Sequence, residues 1–188
     1  KHMRPRDVDN IFSRVNAAAV TAGRARPYVF LEIPGNAAEA VTADQYFGVG
    51  NASGGVADIT DFQYGERVAD AFLGRNGATL AGALTNLSTG LFPSDKSVVF
   101  VDNHDTQRGS ALYYADAAYA QATVFMLAHP QGYPSVMSSY GFDRGSQAGR
   151  DVGPPANGNG VTNSTFSAGG SSLCTASIGS VQQSLWIC

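Results

Sequence analysis

The sequence predicts an α/β fold built on a parallel sheet, and three observations predict it. Short apolar runs at Tyr28-Val29-Phe30-Leu31 and Val98-Val99-Phe100-Val101 have the composition of strands covered on both faces. Stretches with apolar residues at helical spacing lie between and around them. Strand and helix alternate along the chain, the order in which parallel neighbours are joined by helical crossovers. Such crossovers are right-handed and bring every strand's carboxyl end to the same side of the sheet.

In chain order, Arg6 to Val20 carries Val8, Ile11, Phe12, Val15 and Ala19 on one stripe, which predicts an amphipathic helix stopped by Gly23. Pro27 to Ile33 predicts a buried strand closed by Pro34-Gly35, with Glu32 as its only charge. A short helix is expected over Ala38 to Phe47, then a Gly-rich turn from Gly48 to Gly55. Val56 to Phe62 alternates like a strand with mixed faces. Two helices are expected next. One spans Gly65 to Leu73 and buries Val68, Phe72 and Leu73, while the other spans Ala78 to Leu87 with Leu80, Leu84 and Leu87 on one face. A turn at Phe92-Pro93-Ser94-Asp95 leads into the strand at Val98. The longest helix is expected from Ser110 to His129, ended by Pro130, and a last strand over Tyr133 to Tyr140. Gly145 to Ser172 is rich in Gly, Ser, Asn and Pro and reads as long loops.

Composition narrows the functional classes. With 188 residues, 44% of them hydrophobic, and ten Phe and eight Tyr, the chain can fill the core of one large domain or most of one. Only 14% of residues are charged and the net charge is −3, so no basic surface points to nucleic acid. No apolar run reaches the roughly 18 residues of a membrane span. Cys174 and Cys188 enclose a short loop whose closure by a disulfide would contribute roughly 3 kcal/mol. No His stands near them to complete a metal site. Asn51, Asn86 and Asn163 begin Asn-X-Ser/Thr triplets, which fit a secreted protein.

The chemistry is expected where strands end. Val98 to Val101 runs directly into Asp102-Asn103-His104-Asp105, and polar side chains at the end of a buried strand cost stability unless paired or liganded. With parallel strands, Glu32 and Asp105 belong to the same rim. Two carboxylates there suit general acid catalysis coupled to stabilisation of a cationic transition state, as in glycoside hydrolysis. Leu31 and Ile33 beside Glu32 are expected to desolvate it and keep it protonated, whereas Asp105 has polar company.

Phe100-Val101-Asp102-Asn103-His104-Asp105, followed by Thr106-Gln107-Arg108-Gly109, resembles the fourth motif of the α-amylase family of glycoside hydrolases, in its animal-type and related bacterial form. Lys1-His2-Met3 resembles the tail of the family's second motif and Leu31-Glu32-Ile33 its third. Phe125 to Pro130 resembles the helix before the last barrel strand, and Val136-Met137-Ser138-Ser139-Tyr140 that strand. Val152-Gly153-Pro154-Pro155 and the two cysteines also match, so the likeness covers the whole chain in order.

The resemblance implies the C-terminal half of a (β/α)8 TIM barrel, strands five to eight, as an incomplete barrel. Residues 1–188 would be one partial catalytic domain, with 145–188 a loop-rich region after the eighth strand. It implies endo-hydrolysis of α-1,4-glucosidic bonds in starch or glycogen with retention. Glu32 would be the general acid/base and Asp105 the carboxylate that binds sugar hydroxyls and stabilises the transition state. His104 would bond the same sugar, Lys1 and His2 would line the neighbouring subsite, and the His2 backbone carbonyl would join a structural calcium. Asp102 would be a structural hydrogen-bonding partner. Asn103 matches a chloride ligand of the animal-type enzymes, but Ser135 stands where a second ligand, an Arg, is expected, so chloride activation is not expected. The partners implied are starch, glycogen and maltooligosaccharides, without nucleic acid or membrane, for a secreted protein that is a monomer at full length.

The family's nucleophile, an Asp three residues before the motif's Lys, and the other calcium ligands fall before Lys1. The isolated polypeptide is therefore expected to be an inactive fragment whose first and last strands expose apolar faces. The alternative is a non-catalytic glucan-binding or protein-interaction member of the family, which would have no need of Glu32 as an acid. A serine hydrolase is disfavoured, since no Gly-X-Ser-X-Gly elbow occurs.

Overall fold

The structure, a computed structural model, describes residues 3–34, 41–47, 57–109, 112–137, 140–153 and 156–161. Four strands, β1 (Val29–Leu31), β2 (Ala57–Thr60), β3 (Ser97–Val99) and β4 (Tyr133–Pro134), form one sheet in the order β1-β2-β3-β4. All three pairings are parallel, with Phe30 opposite Asp58, Thr60 opposite Val98, and Val98 opposite Tyr133. The expectation of a parallel α/β sheet holds. Helices α1 (Pro5–Thr21), α2 (Phe62–Leu73), α3 (Leu80–Asn86), α4 (Tyr119–Ala128) and α5 (Gln147–Arg150) complete the framework.

The period of two along each strand separates two environments. Val29, Leu31 and Ile33 pack with Ala57 and Ile59 against Val8 and Phe12 of α1. Val99 and Val101 pack with Tyr64 and Val68 of α2 and with Tyr119, Ala122 and Met126 of α4. The opposite residues, Phe30, Thr60, Val98 and Phe100, line an open concavity. Tyr28, Phe30 and Tyr133 are 63%, 53% and 51% exposed, as expected for the outer strands of an incomplete barrel.

Local chemistry sets the element ends. Asp61 caps α2 by accepting from the Tyr64 backbone N–H at 3.2 Å and also receives the Ser97 hydroxyl at 3.2 Å. Burial raises the proton affinity of this carboxyl, and those two hydrogen bonds oppose it. Gly74 closes α2 in the left-handed conformation, φ 63°. Thr79 caps α3 through Gly82 N–H at 3.0 Å, so that helix begins at Leu80 instead of Ala78.

Several expectations need correction. The strand β2 keeps its alternation, Ala57 and Ile59 on the core side and Thr60 at the concavity, but all four of its residues are buried; Asp58 accepts the Tyr28 hydroxyl at 2.8 Å. Leu80 and Leu84 of α3 are 49% and 67% exposed while Leu87 is buried, since no described element covers that face. The helix expected from Ser110 starts only at Tyr119: Asp116 accepts from Tyr113 N–H at 3.0 Å and forms a turn there. Within Ala38 to Phe47 the described helix is a 3-10 turn, Ala43–Tyr46. The expected strand over Tyr133 to Tyr140 is reduced to Tyr133–Pro134. The Gly/Ser-rich region opens with a helical turn, α5, capped by Ser146 accepting from Gly149 N–H at 3.0 Å. The Gly48 to Gly55 turn, Asn51, Asn163 and both cysteines lie outside the described residues, while Asn86 is exposed at the end of α3.

Candidate active site

The polar sequence after β3 folds into a tight, internally bonded loop. Asn103 Oδ1 accepts from the backbone N–H groups of Asp105 at 3.0 Å and Thr106 at 2.7 Å. Its own backbone N–H donates to Thr106 Oγ1 at 2.9 Å, and its carbonyl accepts from Gln107 N–H at 3.0 Å. An Asx-type turn thus feeds a 3-10 turn over Thr106–Arg108. The loop's outer corner carries His104 and Asp105, both exposed, with His104 Nε2 3.7 Å from Asp105 Oδ1.

Glu32 reaches the same place from the end of β1. One carboxylate oxygen from each of Glu32 and Asp105 and one ring nitrogen of His104 lie within 4.8 Å of one another. All three line a concavity of about 770 Å³ on the side where the strands end. Leu31 and Ile33 do not desolvate Glu32 as expected. They turn to the opposite side of the strand and pack on α1, leaving Glu32 exposed at the concavity.

Beneath this exposed rim lies Asp102, 2% exposed. Its Oδ1 accepts the Tyr119 hydroxyl at 2.9 Å, so its expected hydrogen-bonding role is met. Burial pushes its pKa up to about 7, and the Tyr119 hydrogen bond opposes the rise. Arg108 closes the far wall. Its guanidinium donates to the Tyr140 hydroxyl and to the Val152 carbonyl at 3.2 Å, and it lies 5.0 Å from the Phe142 ring centroid. In the sequence Arg108 stands out only as part of the run Thr106-Gln107-Arg108-Gly109. The signal that could have found this clamp is the spacing of Tyr140 and Phe142 around Gly141 just beyond the last strand.

No family model matches the chain. The α-amylase of Oryzias latipes is 38% identical over 176 residues, covering 86% of this chain and 33% of that one. Pancreatic alpha-amylase 2a5 of Mus musculus is 39% identical over 178 residues, again 86% and 33%. The α-amylase of Thermomonospora curvata is 39% identical over 176 residues, 93% of this chain and 26% of that one. Among solved structures, α-amylase I of Eisenia fetida superposes with a TM-score of 0.69 at 29% identity, covering 92% of this chain and 36% of that one. Over most of its length the chain is similar to α-amylases. It spans about a third of the length of the curated α-amylases it matches.

Of the metal chemistry that this likeness implies, the described residues hold little. Lys1 and His2, the latter with the carbonyl expected to bind calcium, lie outside them. Among the described residues one group of His, Asp and Glu converges, Glu32, His104 and Asp105. Structural calcium takes six to eight oxygen ligands, which this exposed trio at the sugar-facing rim does not supply. Asn103 and Ser135 both line the concavity. The Asn103 side-chain oxygen is occupied by two backbone N–H groups, and Ser135 brings no charge for an anion.

Proposed function

We propose that this chain carries the acid/base and transition-state-stabilising half of an α-amylase site for endo-hydrolysis of α-1,4-glucosidic bonds in starch or glycogen with retention. The convergence of Glu32, His104 and Asp105 within 4.8 Å carries the reading. Glu32 protonates the glycosidic oxygen as the bond breaks and then takes a proton from the incoming water. Asp105 and His104 hold hydroxyls of the sugar whose ring becomes oxocarbenium-like, and the Asp105 charge stabilises that ring. A second crystal structure of the Eisenia fetida enzyme, a Glu-to-Gln variant, holds maltohexaose, which supports a linear glucan as ligand of this fold.

The strands β1 to β4 correspond in this reading to barrel strands five to eight, of one partial catalytic domain over 1–188. Lys1 and His2 extend the glucan site, with the His2 carbonyl on calcium, and the protein is a secreted monomer at full length. No described helix is long and apolar enough to cross a membrane. The Glu32–Asp105 approach does not itself mark a nucleophile–acid pair, since in this reading Asp105 acts as the stabilising carboxylate.

The test is substitution in the full-length protein that carries this sequence. Glu32→Gln and Asp105→Asn each lower kcat by at least ~10²-fold while maltohexaose binding persists, as for removal of groups acting in the transition state. Unchanged kcat in Glu32→Gln would transfer the chain to the non-catalytic, glucan-binding alternative. Added chloride is expected to leave the rate unchanged because Ser135 replaces the cationic ligand, and a strong chloride-dependent rise would show that an anion site persists.

A further inference from the structure

Asp102 is the polar residue of the β3 terminus to which the proposed chemistry gives no task. Its Oδ1 is bound by Tyr119 at 2.9 Å, which ties the strand end to the first turn of α4. Its Oδ2 is buried and has no hydrogen-bond partner among the described residues, although the side chain lines the same concavity as Glu32 and Asp105. A buried polar atom without a partner is destabilising, more so when charged. A purely structural link to Tyr119 would be made as well by a neutral amide. The arrangement makes sense if the second oxygen changes state.

We propose that Asp102 is a proton-gated positioning residue, whose Oδ2 gains and loses a proton and thereby alters how the loop bearing Asn103, His104 and Asp105 is held. This rests on the proposed function for what that loop contacts. With the proton on, Asp102 and Tyr119 form a neutral pair. With it off, a charge held by the Tyr119 hydroxyl and by the residue's own backbone N–H sits directly behind the loop and draws on the surrounding donors.

The groups that face it are few. Tyr119 on α4 supplies the hydroxyl, kept protonated by its own burial and by the nearby Asp102 charge. Arg144, beyond β4, favours the ionised form and Asp116, before α4, opposes it. His104 and Asp105 follow on the same loop, and Glu32 and Arg108 stand around the concavity. Burial outweighs the favourable contacts, so the carboxyl is neutral below about pH 7 and ionised above it.

The experiment follows kcat/KM for maltohexaose against pH in the full-length protein, for wild type, Asp102→Asn and Tyr119→Phe. Wild type is expected to show an inflection at about pH 7 that is absent in Asp102→Asn. In Tyr119→Phe it moves upward, because a hydrogen bond favouring the charged form is gone. Persistence of the inflection in Asp102→Asn, or no movement in Tyr119→Phe, overturns the proposal. If Asp102→Asn does not fold, the Asp102 carboxyl carbon resonance of the wild-type protein decides. Titration near neutrality with coupled movement of the Asn103, His104 and Asp105 amide signals supports the gate, and titration in the ordinary carboxylate range or unmoved amides refutes it. A wild-type protein that hydrolyses no glucan at any pH defeats the proposed function instead, and the same resonance still tests the gate.

Discussion

Asn103 shows how a single side chain shapes the candidate site. Its Oδ1 holds two backbone N–H groups, so the corner that presents His104 and Asp105 depends on an amide and not on a charge. Asn103→Ala is expected to remove both bonds, lowering stability by about 1–2 kcal/mol and weakening maltohexaose binding several-fold, measured by thermal unfolding and calorimetry. A loss of stability with unchanged affinity would mean that the loop keeps its shape by other means. The sequence made this residue conspicuous through the Asp-Asn-His-Asp run, but its role as a turn former needed the hydrogen bonds. The reverse holds for Glu32: its position at the rim was legible, while its surroundings were misjudged. Adjacent residues in a strand face opposite ways, so Leu31 and Ile33 could not desolvate it.

At the scale of elements, the packing of α2 on β3 positions the polar loop. Gly65 makes the close approach possible, since a Cβ there would stand 2.8 Å from the Phe100 carbonyl oxygen and 3.3 Å from that of Val101. Gly65→Ala is expected to push helix and strand apart and to cost about 1–3 kcal/mol, read as a lower denaturation midpoint with an unchanged m-value. A midpoint equal to wild type would show that the helix shifts without strain. Helical periodicity located α1 and α3 closely. It missed the starts of α2 and α4 because caps and turns, Asp61 and the Asp116 turn, act on the backbone independently of the apolar stripe.

At the scale of the whole molecule, no further strand among the described residues pairs with β1 or β4 at the ends of the four-stranded parallel sheet. Tyr28, Phe30 and Tyr133 lie exposed on its inner side, and such a surface promotes association. The 188-residue polypeptide on its own is expected to self-associate and to bind a hydrophobic dye, by light scattering and fluorescence, and Phe30→Lys with Tyr133→Lys to reduce both. A monodisperse monomer that binds no dye would contradict this.

The sequence by itself determined the order of strands and helices, the parallel sense of the sheet and the rim on which Glu32 and Asp105 meet. Those follow from local apolar periodicity and from the handedness of crossovers, which are properties of short segments. Only the tertiary structure decided which side of each strand faces the concavity, that Glu32 stands exposed, and that Asp102 is buried with one oxygen paired and the other not. Burial and hydrogen-bond partnership are set by contacts between residues distant in the chain, such as Asp102 with Tyr119 and Arg108 with Tyr140, and no local pattern encodes them.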